Sequence, residues 1–304
     1  MLYENLLDLI GNTPIVKINN IFDTDSHADV YLKLENFNPS GSVKDRAALG
    51  IIEKAEKEGK LKPGSTIIEP TSGNMGISLA FIGSLKGYKT IIVMPDTMSI
   101  ERRNILKAFN AELILTDGAR GMKGAIEKAE SLASKNKNYF MPEQFSNPAN
   151  VEIHYETTGK EIIRDLPDID VFVAGVGSGG TLSGVGRRLK EYSPDIQIVA
   201  VEPLTSAVIS GEKPGKHQIQ GLGAGFIPKT LDLKVIDRTI PISDNKSFEF
   251  GKLIARKCGL FLGISTGANV AAAYEIAKNM EKGKKVLTVA SDTGEKYLSL
   301  NIYK

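Results

Sequence analysis

Twice in this chain a short apolar run leads directly into a loop of glycines and hydroxyl residues and then into a helical pattern, which restricts the fold more than any other feature. In the clearer case Asp170-Val171-Phe172-Val173-Ala174 precedes Gly175-Val176-Gly177-Ser178-Gly179-Gly180-Thr181, and Leu182-Ser183-Gly184-Val185-Gly186-Arg187-Arg188-Leu189 follows. Its glycines let consecutive backbone N–H groups converge, and the helix start adds partial positive charge, so a phosphate is the natural occupant. The Gly-Lys-Ser/Thr ending of a nucleotide triphosphatase loop is absent from this segment. Gly175, Gly177 and Gly180, with Glu202 closing the next run from Ile196 to Val201, also fit a dinucleotide fingerprint. An NAD-dependent oxidoreductase is therefore one alternative.

The second instance is Thr71-Ser72-Gly73-Asn74-Met75-Gly76, between the run Thr66 to Glu69 and the apolar stretch Ile77 to Leu85. Two hydroxyls, the Asn74 amide and the N–H groups of a helix start suit a carboxylate. Each charge-assisted bond contributes roughly 1.5 to 3 kcal/mol. The plainer reading is a helix N-cap, which needs only one such oxygen. Lys44 stands in Ser40-Gly41-Ser42-Val43-Lys44-Asp45-Arg46-Ala47, where small residues leave room for another molecule to approach the ammonium. Its plainer reading is an exposed lysine in the first turn of a helix.

The rest of the chain keeps the same alternation. Residues 44 to 58 read as a helix with Ala48, Ile51, Ile52 and Ala55 on one face, stopping at Gly59. Strand-like runs follow at Thr66 to Glu69, Thr90 to Met94, Glu112 to Leu115, Val171 to Ala174, Ile196 to Val201 and Lys285 to Ala290. This predicts an α/β fold of α/β/α layers with mostly parallel sheets. A length of 304 residues suits two domains, with Gln144 to Asn150 as the candidate boundary.

Thirty-eight basic and 36 acidic residues are well mixed, giving a net charge of +2 and no basic tract for nucleic acid. No membrane span or signal peptide is read from the sequence, so the cytoplasm is the expected location. The single cysteine, Cys258, excludes an internal disulfide and reads as buried packing near the end of a helix at Gly259. His27, His154 and His217 have no metal-ligand spacing, although His217 precedes the Gly221 loop and could line a cleft. No metal is expected.

A lysine, a phosphate loop and a carboxylate loop, all at strand ends, are what pyridoxal 5'-phosphate requires. Its aldehyde needs an amine, its phosphate a neutral cradle, and its amino-acid substrates bring a carboxylate. Asn38-Pro39-Ser40-Gly41-Ser42-Val43-Lys44-Asp45-Arg46, Thr71-Ser72-Gly73-Asn74, Gln144-Phe145-Ser146-Asn147-Pro148-Ala149-Asn150, Gly175 to Gly184, Gly221-Leu222-Gly223-Ala224-Gly225-Phe226-Ile227-Pro228 and Gly263-Ile264-Ser265-Thr266-Gly267-Ala268 follow one another along the chain. In order and spacing they resemble the cysteine synthase (O-acetylserine sulfhydrylase) family of fold type II pyridoxal-phosphate enzymes, over nearly the whole chain.

The resemblance implies that Lys44 forms the Schiff base and later removes the substrate Cα proton. It implies that Asn74 meets the cofactor's phenolic oxygen, that Gly177, Ser178, Gly179, Gly180 and Thr181 hold its phosphate, and that Ser265 meets its pyridine nitrogen. Thr71, Ser72, Asn74, the Met75 backbone and Gln144 would bind the substrate carboxylate, and Gly221, Gly223 and Ala224 would line the cleft. Met75 stands where the family usually has Thr. Ser265 otherwise reads as a cap for a helix from Asn269 to Met280.

The implied reaction converts O-acetyl-L-serine and sulfide to L-cysteine and acetate through an α-aminoacrylate. A hydrogen sulfide-producing cysteine lyase or lanthionine synthase, and a catalytically retired relative that binds a partner protein, are the other readings. The resemblance further implies a smaller mobile domain of residues 1–12 and 36–147, a larger one of 13–35 and 148–304, and the cofactor between them. Gly73 and Gly76 would give the smaller domain's loop freedom to move. A homodimer and an association with serine acetyltransferase are implied as well.

Overall fold

The computed structural model describes residues 2–21, 27–300 and 302–303. Its larger sheet has the order β1 (Ile15–Lys17), β2 (Asp29–Leu34), β10 (Lys285–Ala290), β7 (Val171–Gly175), β8 (Gln197–Pro203), β9 (Arg238–Ile242). β1 is antiparallel to β2 and the other pairs are parallel, with Val286 opposite Val30 on one side and Val171 on the other. The smaller sheet is all parallel, in the order β5 (Glu112–Thr116), β4 (Lys89–Pro95), β3 (Thr66–Pro70), β6 (Tyr139–Phe140). Central strands carry continuous apolar runs because helices cover both of their faces. Thus Val171, Phe172, Val173 and Ala174 of β7 are all buried, with Phe172 and Val173 falling in different core clusters.

The helices serving the small sheet are α1 (Lys44–Lys57), α2 (Asn74–Lys86), α3 (Ile100–Ala108) and α4 (Gly121–Ala133). Around the large sheet lie α5 (Ala149–Ile153), α6 (Gly159–Asp165), α7 (Gly180–Tyr192), α8 (Asp244–Cys258) and α9 (Ile264–Ala277), with a π turn at His154–Thr158 between α5 and α6. Ala48, Ile51, Ile52 and Ala55 are buried as their spacing requires, and Gly59 takes the left-handed conformation (φ 68°) just beyond the end of α1. The six strand-like runs are all strands, each displaced by no more than two residues at an end. The short edge strands β1, β6 and β9 had no sequence signal of their own.

Three expectations need correction. The helix that carries Ser265 runs Ile264–Ala277 with Gly263 at its N-cap, so Ser265 lies inside the first turn and is not a cap. Gly76 is no hinge. It is buried within α2, and a Cβ there would meet the Thr71 methyl at 2.9 Å. Cys258 ends α8 before Gly259 as expected, but it is only half-buried against the core.

The helix carrying Lys44 is tied to the larger sheet by buried charge. Arg46 donates from Nε to Glu35 (2.7 Å) and from Nη1 to Glu161 (2.6 Å), while Lys33 of β2 donates to Glu161 (2.8 Å) and to the Thr13 carbonyl (2.6 Å). Burial opposes the negative charge of both glutamates, but Arg46 and Lys33 prevail and hold each carboxyl down at about 2. Two cations and two anions at such distances balance, which is the condition for keeping charge in an apolar interior. The amine two residues upstream is therefore held at a fixed origin.

Candidate active site

β3, β7 and β10 end toward the same cleft, the place where ligands gather in open α/β sheets. From β3 the chain passes through Thr71 and Ser72 into α2, whose N-cap is Gly73. No side chain caps this helix, so Thr71 and Ser72 are not spent as simple caps, and Asn74 and Met75 bring first-turn N–H groups that have no partner within the helix. The Met75 side chain packs into the core with Ala47, Ile51 and Leu79, leaving its backbone as the polar contribution.

From β7 the chain turns through Gly177-Ser178-Gly179 into α7, with Gly179 left-handed (φ 84°) at the N-cap. A Cβ on Gly177 would lie 2.2 Å from the Gly221 carbonyl oxygen, so only glycine fits where these loops cross. Ser178 is held by Asn150, whose Nδ2 donates to its Oγ at 3.0 Å. Thr181 shares a hydrogen bond with His154 Nε2 at 3.1 Å. Burial, reinforced by the nearby positive charge of Arg46, pushes His154 down to about 3, so the ring stays neutral and structural. His217 lies beside the cleft loop and bonds the Gly223 carbonyl at 3.0 Å, without reaching the cavity.

Lys44 opens α1 and directs Nζ to within 3.5 Å of Ser178 Oγ. Burial pushes its pKa down to about 8, against the opposing pull of Asp292. It is thus neither a freely solvated lysine nor an ion-paired one. A cavity of about 190 Å3 brings Lys44 together with Thr71, Ser72, Asn74, Met75, Gln144, Gly177, Ser178, Gly221 and Ala224. A deeper one of about 50 Å3 shares Lys44 and Asn74 and adds Gly179, Thr181 and Ser265. Of the expected site residues, Gly180 stands just behind the wall as the first residue of α7, packed on Asn150, and Gly223 faces Pro203 and His217.

The structure adds three residues to the site: Arg102 and Tyr297 line the cavity, and Asp292 is buried behind Asn74 and Tyr297. Arg102 of α3 donates to Gln220 (2.7 Å), and its guanidinium lies 5.4 Å from the ring centroid of Tyr297. Asp292, just past β10, accepts from Asn74 Nδ2 (2.7 Å) and Tyr297 Oη (2.5 Å). The one available signal was position, since Asp292 follows a strand's carboxyl end. Arg102 and Tyr297 had none.

The donor set suits pyridoxal phosphate on physical grounds. The cradle of glycines and hydroxyls is neutral, an amine of lowered proton affinity faces it, and the Oδ1 atoms of Asn74 and Asn269 are buried without partners in the wall. The dinucleotide reading fails on Glu202, whose carboxylate is consumed by Ile209 N, Ser210 N and Ser210 Oγ at 2.6–3.0 Å. Both oxygens are engaged on a buried side chain that lines neither cavity, so neither is offered to a ribose. Among the described residues no group of side chains could hold a metal ion, and no helix is long and apolar enough to cross a membrane.

Parallel α/β layers with a half-buried lysine facing a glycine cradle are the arrangement that an enzyme using a phosphorylated aldehyde cofactor requires. The chain belongs to the pyridoxal-phosphate dependent enzyme family, whose model matches residues 6–292. It is 54% identical over 302 residues to cysteine synthase of Staphylococcus aureus, covering 99% of this chain and 97% of the relative. Among solved structures, the cysteine synthase of Entamoeba histolytica superposes with a TM-score of 0.97 at 42% identity, covering 100% of this chain and 91% of that one. A hydrogen sulfide-producing enzyme of Fusobacterium nucleatum superposes at 0.92 with 47% identity, covering 98% of each chain.

Proposed function

We propose that the chain is a cysteine synthase, replacing the acetate of O-acetyl-L-serine by sulfide with pyridoxal phosphate held on Lys44. The observation that carries this reading is the Lys44 amine, lowered to about 8 by burial and facing Ser178 in one cavity with the Thr71–Met75 loop. When bound, the cofactor supplies an electron sink for negative charge at the substrate Cα. Thr71, Ser72, the first-turn N–H groups of α2 and Gln144 hold the substrate carboxylate and so fix which Cα–H bond points at the amine. Lys44, neutral for much of the time near pH 8, takes that proton. The Cβ–O bond to acetate then breaks, and sulfide forms the Cβ–S bond. The proton held at Lys44 Nζ returns to Cα. Ser265, in the wall of the deeper cavity, would offer the ring nitrogen a hydroxyl and no negative charge, which would weaken the sink and disfavour transamination.

Gly177, Ser178, Gly179, Gly180 and Thr181 would hold the phosphate, and Gly221, Gly223 and Ala224 keep the sulfur side small. We assign residues 1–12 and 36–147 to a smaller domain that closes over the substrate carboxylate, and 13–35 with 148–304 to the larger. The two separate sheets support this division, and closure would exclude water from the reaction. Exposed Leu6, Leu9 and Phe37 at an apolar groove support a homodimer. A groove of about 660 Å3 beside the cleft, with Met122, Ile126, Phe145 and Phe226 in its walls, would suit serine acetyltransferase. The proposed setting is the cytoplasm.

Purified protein given O-acetylserine plus sulfide in one tube and cysteine alone in another, with products followed by mass spectrometry, tests the function. The expected outcome is cysteine forming faster in the first tube. Faster serine, lanthionine or sulfide from cysteine would shift the reading to the activity named for the Fusobacterium neighbour.

A further inference from the structure

Asp292 is 1% exposed and stands where three parts of the cleft meet. Its backbone bridges Ser42 in the loop before Lys44 and accepts from Gly263 N at 2.9 Å. Gly263 begins α9, and a Cβ there would come within 1.9 Å of Asp292 Oδ1, so the carboxylate rests directly on that glycine. Oδ2 accepts from Tyr297 Oη and, across the cleft, from Asn74 Nδ2, while Oδ1 has no partner. The charged groups acting on this site are Lys44, Lys296 and, through Tyr297, Arg102.

We propose that Asp292 is a positioning residue that locks the Asn74 side-chain amide with its nitrogen toward the carboxylate, so that Asn74 meets the cofactor's phenolic oxygen as a hydrogen-bond donor. An ionised carboxylate only accepts, so a rotated amide would set Oδ1 of Asn74 against Oδ2 of Asp292. That arrangement is repulsive in a site closed to water. The amide nitrogen has two hydrogens. One is used on Asp292 and the other remains for the cavity that Asn74 lines. Held in the opposite sense, the amide would turn an acceptor toward an oxygen that carries negative charge. Asp292 itself is fixed from behind by Gly263, Tyr297 and the Ser42 bridge, so it can impose the orientation.

The inference rests on the reading of the cleft as a pyridoxal phosphate site, and its test separates the two. Wild type, Asp292→Ala, Asp292→Asn, Asn74→Ala and the Asp292→Ala/Asn74→Ala double variant are loaded with pyridoxal phosphate. Cofactor dissociation constants and the visible absorption bands of the loaded proteins are measured without substrate, alongside melting temperatures of the cofactor-free chains. Losing the amide's orientation forfeits one hydrogen bond to a charged acceptor. Asp292→Ala is therefore expected to weaken cofactor binding about ten-fold and to shift the absorption bands. Asp292→Asn, which can accept in one orientation and donate in the other, should fall between Asp292→Ala and wild type.

The effect must disappear in the Asn74→Ala background, because Asp292 acts through Asn74. Wild-type affinity and spectrum in Asp292→Ala would overturn the proposal, as would an undiminished effect of that substitution when Asn74 is already absent. If Asp292→Ala does not fold, Asp292→Asn with and without Asn74→Ala gives the same comparison on an isosteric side chain. A wild type that takes up no cofactor at Lys44 would instead remove the underlying reading of the site.

Discussion

The lowered pKa of Lys44 makes a quantitative claim about how fast this protein acquires its cofactor. Only a neutral amine attacks an aldehyde, so capture tracks the unprotonated fraction of Lys44. With a pKa of about 8, that fraction is about 9% at pH 7, about half at pH 8 and nearly all at pH 10. Between pH 8 and 10 the rate should rise only about two-fold. A lysine at its ordinary 10.5 would gain roughly 75-fold over the same interval. Stopped-flow mixing of the cofactor-free protein with pyridoxal phosphate, read by absorbance, measures the rate directly. Borohydride reduction followed by peptide mapping identifies the lysine. Continued growth of nearly ten-fold per pH unit up to pH 10, or label at another lysine, would refute the argument that burial rather than ion pairing governs this amine.

Arg46→Ala leaves Glu35 and Glu161 buried without their principal partner and should cost about 3 to 5 kcal/mol in urea unfolding, with loss of cofactor uptake as α1 loosens. Glu69, beneath the Gln144 segment, is pushed up to about 8 by burial even though it accepts the backbone N–H groups of Glu143 and Gln144. The native chain therefore keeps a proton that the unfolded chain releases above its ordinary 4.5. That contribution is fully present below pH 4.5 and is lost as pH rises through about 8, so the melting temperature of Glu69→Gln should gain on wild type across this window and run parallel above it. Gly177→Ala places a methyl 2.2 Å from the Gly221 carbonyl and should lower cofactor affinity by more than about ten-fold, measured by equilibrium dialysis, while the far-ultraviolet circular dichroism is retained.

Much of the cleft was legible because its parts are local. Gly175 to Thr181, Thr71 to Met75 and the loop before Lys44 are continuous segments in which strand, glycine turn and helix start are encoded within a dozen or so neighbours. The geometry brings Lys44, Asn74, Ser178, Thr181 and Ser265 around shared cavities. The start of α9 was misjudged by five residues because Ile264 to Ala268 carry small residues that suit loop and helix equally. Arg102, Tyr297 and Asp292 went unread for a different reason. Each is a single side chain in an ordinary context, and only the approach of distant elements gives it a partner: Gln220 for Arg102, the guanidinium for the Tyr297 ring, and Asn74 for Asp292.

The sequence by itself determined the alternation of strands and helices, the glycine loops at strand ends and the lysine set among small residues, since periodicity and backbone sterics act over short stretches. Only the tertiary structure decided that β1 and β2 join the larger sheet, that Arg46 anchors α1 to Glu35 and Glu161, and that Asp292 reaches Asn74 across 218 positions of chain. Burial and pairing depend on which segments meet. A lysine's affinity for a proton, like an amide's orientation, is set by neighbours that the linear order keeps far apart.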